Sequence, residues 1–374
     1  MSPRPMIQSI TAPVTRHDLE ACIKLCRRHL LGMQTAQGNF QYEYDWQTGE
    51  YQQGDNAVRQ AGTLWGLANL YRLRPDPALL NGCVKGLAFY DEYSATTARG
   101  SRFSTYIVLR NGMLGSVALV ALSLVEMLRS PAAATASMQD HWRSRLDEYL
   151  GFLVAAQRPD GRGASQYEPA TGHPHGQPSP YFDGEALLAL CRAAGHLDVP
   201  GLDDAIARGA AGAYRHYVLH ALRRDSRSPQ TCGYYHWGTM AMYEIVKSER
   251  LNAGDHRYAE IIDYLGDWQC RIRQLGMGLG NPAAGLEGLI HAYQLCAGGA
   301  SADRFRDTIE ACLRRMLSLQ VGHPRGNDFV QRAPRQAPAL GGCQARPTVP
   351  RLRIDCVQHQ LHAALLALAC VVRD

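Results

Sequence analysis

Polar and apolar positions recur along this chain with a helical period, and they do so in two registers that take turns. One register is amphipathic. Segments such as RRHLL and WRSRLDEYL keep a charged stripe beside an apolar one, the pattern of a helix with one face in water. The other register carries Ala, Gly and Leu on most faces, as in LWGLANLY and GEALLALC, which suits a helix buried all round. Amphipathic helices are predicted near 17–34, 77–91, 140–157, 200–221, 255–274 and 302–320. The apolar ones start near Ala57, Gly115, Tyr181, Tyr235, Pro282 and Asp355. Strand periodicity is nearly absent.

One phrase returns three times. Gln34 is followed by GNFQYEYDWQTG and then RQAGTLWGLANLYR; AAQRPDGRGASQYEPATG, which contains Gln157, precedes YFDGEALLALCRA. FRDTIEACLRRMLSLQ ends at Gln320, a Gly/Pro-rich loop follows, and RIDCVQHQLHAALLALACVV comes after it. Each copy reads amphipathic helix, polar loop, apolar helix. At 374 residues the chain exceeds the usual single domain, but hairpins that close on themselves escape that limit. Six pairs without polar capping repeats favour closure over an open solenoid. The expected fold is therefore all-α, an (α/α)6 toroid of six helical hairpins. It forms a single domain over 1–374, with 1–15 as a flexible N-terminal segment.

Composition narrows the functions. The formal charge of +5 is small for this length and the arginines are scattered, which argues against a nucleic-acid partner. The longest apolar stretch, Met113 to Leu128, is interrupted by Ser116, Ser123 and Glu126 and falls short of a bilayer span, so no membrane insertion is expected. The opening MSPRPMIQSITAP has no apolar run resembling a signal segment. Eleven dispersed cysteines read as reduced thiols. Together these point to a cytoplasmic protein.

In a toroid, the loops leading into the inner helices gather at one mouth, and there the sequence concentrates acids, aromatics and amides. The first of these loops offers Tyr42, Glu43, Asp55 and Arg59, and the second Asn111. The third offers Glu168, Tyr181, Asp183 and Glu185, the fourth Tyr235, His236 and Trp237, and the fifth only Asn281 and Glu287. The sixth offers Arg353, Asp355 and His359. This mixture suits a sugar: aromatic faces stack on pyranose C–H surfaces, guanidinium groups bind hydroxyls or carboxylates, and paired carboxyls exchange protons. Asp183 and Asp355 are the favoured acid/base pair, with Asp55, Glu168, Glu185 and His359 as further catalytic candidates. Tyr42, Glu43, Arg59, Asn111, Tyr181, Tyr235, His236, Trp237 and Arg353 are the expected substrate-binding residues. Against these readings, Asp55, Asp183 and Asp355 lie near helix starts, where Asp caps. His236 and His359 fall just inside their helices, where a hydrogen-bonded core histidine is common. Glu185 sits within an otherwise apolar helix, where an unpaired charge is costly.

Cys232, His236, Cys343, Cys356 and His359 offer zinc-ligand chemistry, but no CxxC or HExxH spacing joins them. No metal and no cofactor are expected. Neither a GxSxG elbow nor a glycine-rich phosphate loop is present.

The QxxxGxFxYE and QRPDG…YE loops and the helices FDGEALLALCRA, GYYHWGTMAMYEI and RIDCVQHQLHAAL resemble segments of six-hairpin toroid proteins, a superfamily of glycosidases, unsaturated glucuronyl hydrolases and sugar epimerases. QRPDG also resembles terpene cyclase repeats. The resemblance implies saccharide binding at the mouth and catalysis by carboxylates there. The leading expectation is hydrolysis of a short or uronic-acid-containing glycoside. Two alternatives stand beside it: a toroidal cyclase or modifying enzyme acting on an isoprenoid or peptide, and a non-catalytic binding or partner subunit.

Overall fold

The computed structural model describes residues 12–130, 135–252, 257–296 and 299–372. Two sets of helices alternate along it. The outer set is α1 (Arg16–Met33), α3 (Pro77–Glu92), α5 (Ala136–Ala155), α7 (Asp203–Ala213), α9 (Arg257–Arg271) and α11 (Ala302–Ser318). A π-helical stretch, Tyr214–His220, and then Ala221–Arg224 continue α7. The inner set is α2 (Ala57–Leu73), α4 (Leu114–Arg129), α6 (Pro180–Leu197), α8 (Pro229–Lys247), α10 (Ala283–Leu295) and α12 (Ile354–Cys370).

Each inner helix packs on the next, and α12 returns to pack on α2, so the ring is closed. Each outer helix packs against the inner helix before it in the chain, and α1 against α12. This is the (α/α)6 toroid, and closure excludes the open solenoid. The near-absence of strand signal fits as well, because the described strands are short pieces of two or three residues in the connecting loops. One such piece, Glu43–Asp45, pairs antiparallel with Arg351–Arg353, Glu43 opposite Arg353. Loops from the first and sixth hairpins are thereby stitched together at the mouth.

The recurring glutamines have a common mechanical role. Gln34 Nε2 donates to Gly38 O and Gly82 O, at 3.0 and 2.8 Å. Gln157 Nε2 donates to Gly161 O and Ala205 O, at 3.1 and 2.8 Å. Gln320 Nε2 donates to Gly341 O and Cys22 O, both at 3.3 Å. Each amide ties its own loop to the next outer helix, satisfying backbone carbonyls that would otherwise be buried without partners. The glycine in each copy has positive φ. At Gly161 an added Cβ would sit 2.0 Å from Arg208 O, so Gly161→Ala is expected to cost about 2–4 kcal/mol. Urea denaturation measures this.

Helix starts correct two expectations. Pro229 opens α8, capped by Ser228, six residues before the predicted start at Tyr235, which places His236 two turns inside. Residues 12–15 of the expected flexible segment are tied down; 1–11 lie outside the described residues. Thr15 makes a capping box with Asp18, Val14 N donates to Glu310 at 2.8 Å, and Arg325 donates to the carbonyls of Ala12 and Pro13.

The C-terminal ends of four inner helices converge on a buried ion network. Glu126 pairs with Arg192 at 2.6 Å, Arg72 at 2.5 Å and Arg129 at 3.4 Å, and Arg192 reaches Glu244 at 2.9 Å. Trp65 covers this network, with the Arg192 guanidinium 5.6 Å from its ring centre and His362 edge-on at 4.8 Å. The barrel is thus plugged at one end and is a funnel, not a tunnel.

Candidate active site

The funnel holds a cavity of about 620 Å³ whose wall includes Arg59, Tyr181, Glu185, His236, Trp237, Arg353, Asp355 and His359. A cleft of about 470 Å³ lies outside the ring between the π-helical stretch and α9, lined by residues such as Val218, Leu222, Ile261 and Tyr264. Buried titratable groups converge in the funnel, and the site is placed there.

At the funnel's base three inner helices each contribute one group. His236 comes from α8, Glu287 from the first turns of α10, and His359 from the second turn of α12. Their ligand-type atoms all lie within 4.8 Å of one another, and the two imidazole ring centres are 5.5 Å apart at 77°. His359 Nδ1 bonds Glu287 Oε1 at 2.9 Å. His362 Nδ1 lies 3.4 Å from the same oxygen but outside hydrogen-bond geometry, so it is not counted as its partner. His236 Nε2 and Glu287 Oε2 are buried with no partner among the described residues. Unpaired polar atoms in a dry site are costly, and these lie at the cavity wall, which His236 and His359 line and which Glu287 backs through His359.

Environment separates the two histidines. Burial, reinforced by the neighbouring His359, pushes His236 down to about 3, so its imidazole is neutral. Burial also opposes charge on His359, but the Glu287 carboxylate overrides it and raises the imidazolium above its ordinary range. Although burial alone would raise Glu287, His359 and then His362 hold it at about 2. The environment thus favours the neutral form at His236 and shifts His359 toward the charged form, the division of labour that proton transfer requires.

Nearer the mouth, Asp355 carries two guanidinium groups. Arg353 binds it in bidentate fashion, Nε and Nη2 at 2.9 and 2.8 Å, and Arg59 Nε is 3.1 Å from Oδ2. Burial would raise the Asp355 carboxyl, but Arg353 and Arg59 hold it below its usual value. Glu185 is the opposite case: burial drives it well above the carboxylate range, its Oε2 is without a partner among the described residues, and it faces the bare Cα of Gly115.

No family model matches the sequence, and no curated protein matches it. Solved structures do match. A sugar epimerase from a ruminal bacterium is 10% identical, with a TM-score of 0.66, covering 96% of this chain and 100% of its own. A D-mannose isomerase is 11% identical, with a TM-score of 0.64, covering 98% and 100%. An alpha-mannanase from Bacteroides thetaiotaomicron is 8% identical, with a TM-score of 0.65, covering 94% and 96%. The fold is that of the six-hairpin toroids. At these identities the similarity establishes the toroid and leaves the chemistry to be argued from the funnel.

The toroid brings some expected residues together and separates others. Arg59, Tyr181, Glu185, His236, Trp237, Arg353, Asp355 and His359 share the funnel. Asp183 does not. It lines a separate cavity of about 20 Å³ behind α6, where Oδ1 accepts from Gly163 N at 2.7 Å and Oδ2 from Tyr217 at 2.5 Å. Its favoured pairing with Asp355 is thereby undone: Asp183 is spent on holding the third loop. Asp55 is likewise occupied, accepting from Gln60 Nε2 at 2.9 Å and from the Tyr106 hydroxyl, and Asn56, not Asp55, caps α2. Glu168 is exposed on a loop hairpin. Glu43 faces Arg351 at 3.5 Å, and Asn111 donates to Gln166 at 2.9 Å. Tyr235 is buried against Trp268 on the outer side. Tyr42 stands behind Arg59, whose Nη1 donates to its hydroxyl. The imagined zinc ligands do not assemble, since Cys343 is buried beside Cys26.

Glu287 joins the site although it is not among the expected catalytic or binding residues, and the sequence holds a signal for it. AAGLEGLIHAY places one carboxylate in an apolar helix, as GEALLALC does for Glu185. His359 and His362, three residues apart on one helix face, are the complementary signal.

Asp183 yields a direct test. Burial raises its carboxyl to about 7, with the Tyr217 and Gly163 hydrogen bonds opposing, so the neutral form dominates below that pH. Asp183→Asn is expected to leave turnover unchanged and to alter stability at pH 5 by less than about 1 kcal/mol, read from urea midpoints and initial rates.

Proposed function

We propose that this chain moves a proton at the carbon next to the carbonyl of a reducing sugar, as a sugar 2-epimerase or aldose–ketose isomerase. His236 and His359 are the acid/base pair. The observation that carries this is the facing of one neutral and one carboxylate-bound imidazole across the funnel base. With an open-chain hexose bound between them, the neutral His236 takes the C2 proton and the electron pair becomes the enediolate. His359 donates its proton to the developing oxyanion, and Glu287 stabilises the imidazolium and fixes its orientation. The enediol so formed gives the epimer when O1–H returns its proton to His359 and His359 protonates the other face of C2, and the ketose when O2–H loses its proton and C1 is protonated. Proton exchange with solvent then restores a neutral His236 and a charged His359. Trp237 and Tyr181 provide aromatic surface for the sugar, and Glu185, held protonated, is a hydrogen-bond donor in the wall.

Two similar toroids, a sugar epimerase and a D-mannose isomerase, support this reading. Hydrolysis is the second reading, supported by the alpha-mannanase and by two carboxyls among the described lining residues of the cavity, Glu185 and Asp355. It is weaker because Asp355 is tied to two guanidinium groups. Incubation with aldoses in D2O, followed by proton NMR, separates the readings: loss of the C2–H signal supports proton transfer. Release of nitrophenol from nitrophenyl glycosides without C2 exchange favours hydrolysis.

His236, Glu287 and His359 also form a two-histidine, one-carboxylate donor set, as some metal sites do. Here Nδ1 of a protonated His359 is committed to Glu287, and a metal would have to displace that proton. Activity is therefore expected to survive exhaustive dialysis against EDTA; loss restored by a divalent ion would reverse the assignment.

A further inference from the structure

We propose that the sugar accepted by this funnel carries an anionic group, phosphate or carboxylate, at the chain end remote from the reacting carbon, and that Arg59 and Arg353 bind it. The proposal rests on the acid/base reading for the position of the reacting carbon, and it adds the substrate class.

Two guanidinium groups line the cavity around one carboxylate, Asp355. Holding Asp355 requires only one of them, and the bidentate Arg353 already does so through Nε and Nη2. Arg59 then adds a second positive charge to a carboxylate that is satisfied. Each guanidinium has five N–H donors. Arg353 spends two nitrogens on Asp355; Arg59 spends Nε on Asp355 and Nη1 on Tyr42. Among the described residues no partner takes Arg353 Nη1 or Arg59 Nη2, which are left for a ligand. The other carboxyl among the described lining residues, Glu185, makes no ion pair with either arginine, and Glu287 is taken up by His359. The uncharged remainder of the lining, with Val58, Leu119 and Ala283 beside the amides Asn56, Asn281 and Gln358, supplies no further carboxylate, so the excess positive charge of the arginine pair is left uncompensated. Paired guanidinium groups match the oxygens of a phosphate or carboxylate.

Distance gives the rest. Asp355 and His359 are four residues apart on α12, on the same face, which puts the arginine pair about 6 Å above the imidazoles. That is close to the span of an open hexose chain from C2 to a group on C6. A hexose with C2 at the histidines therefore presents its C6 substituent to Arg59 and Arg353.

Binding is measured by calorimetry on the His359→Gln protein, so that it does not depend on turnover. The probes are mannose, mannose 6-phosphate and mannuronate, each also tested after adding Arg353→Gln or Arg59→Gln. At least one anionic sugar is expected to bind ~10–100-fold more tightly than mannose, with most of that advantage lost in either arginine variant. The tighter of the two identifies phosphate or carboxylate as the group. Mannose binding as tightly as both anionic sugars overturns the proposal, as does an anionic advantage that survives both arginine variants. C2 exchange in the unmodified protein is read separately. Exchange absent with every sugar, with the anionic preference intact, removes the acid/base reading and leaves the arginine site standing. Exchange with mannose and no anionic preference does the reverse.

Discussion

Glutamine in place of His236 or His359 is expected to slow C2 proton exchange by ~10²–10⁴-fold, the usual contribution of a positioned acid or base. The fold should be retained, because each side chain borders the cavity and its loss opens no closed core. The two losses should not multiply: a base without its acid partner gains little, so the double variant should be about as slow as either single one. Multiplying effects would mean that the imidazoles act in separate steps. The pH dependence has a definite sign. The working form has His236 neutral and His359 protonated, and the charged or titratable groups around His359 are Glu287, Asp355, Arg59, His236 and His362. Because His359 is raised above its ordinary value, kcat/KM should hold past the ordinary imidazole range and fall as pH rises through the raised value. Glu287→Gln removes the anion that sustains the charge, so the fall should move to lower pH. A slower variant with an unmoved alkaline limb would mean that Glu287 serves structure alone.

The fold was legible because helix burial is written locally. Ala, Gly and Leu on all faces cannot be solvated, so α2, α4 and α12 declare themselves inner helices without any knowledge of their neighbours. The repeated glutamine and glycine were legible for a similar reason, since each serves its own loop. The site was harder because its decisive facts are pairings across the ring. Asp183 and Asp355 look alike in sequence, each in the first turn of an inner helix. One turns outward to the Gly163 amide and Tyr217, and the other inward between two arginines. Nothing within three or four residues of either distinguishes them. Glu287 and His359 are 72 residues apart, and only closure of the ring brings them together. The six-residue error at the start of α8 had a local cause, a Ser-Pro start whose first turn is too polar for the apolar pattern to register, and it hid the depth of His236.

The ion network beneath Trp65 is where one substitution should cost the most stability. Glu126 is fully buried and is the hub for Arg72, Arg129 and Arg192. Glu126→Gln keeps the volume but leaves Arg192 with Glu244 alone and takes the carboxylate away from the mostly buried Arg72 and Arg129. Removing one partner of a buried ion pair typically costs 3–5 kcal/mol, because the surviving charge stays desolvated and uncompensated. The urea midpoint should fall by that equivalent with an unchanged slope. A change below about 1 kcal/mol would mean that water reaches the network. The converse substitution sharpens the point: exchanging the whole cluster for well-packed apolar residues is expected to be neutral or stabilising, since no charge is then stranded. Acid sensitivity follows from the same groups. Burial would raise Glu126, but Arg192, Arg72 and Arg129 hold it below its ordinary value, and Arg192 and His196 do the same for Glu244. Carboxyls depressed in the folded state contribute stability at pH values above the unfolded carboxylate range, and that stability drains away as pH falls through their folded values. The parent protein should therefore lose stability steeply on acidification, and Glu126→Gln, already deprived of one such group, less steeply. Parallel acid limbs for the two proteins would show that the network is not the source of the acid sensitivity.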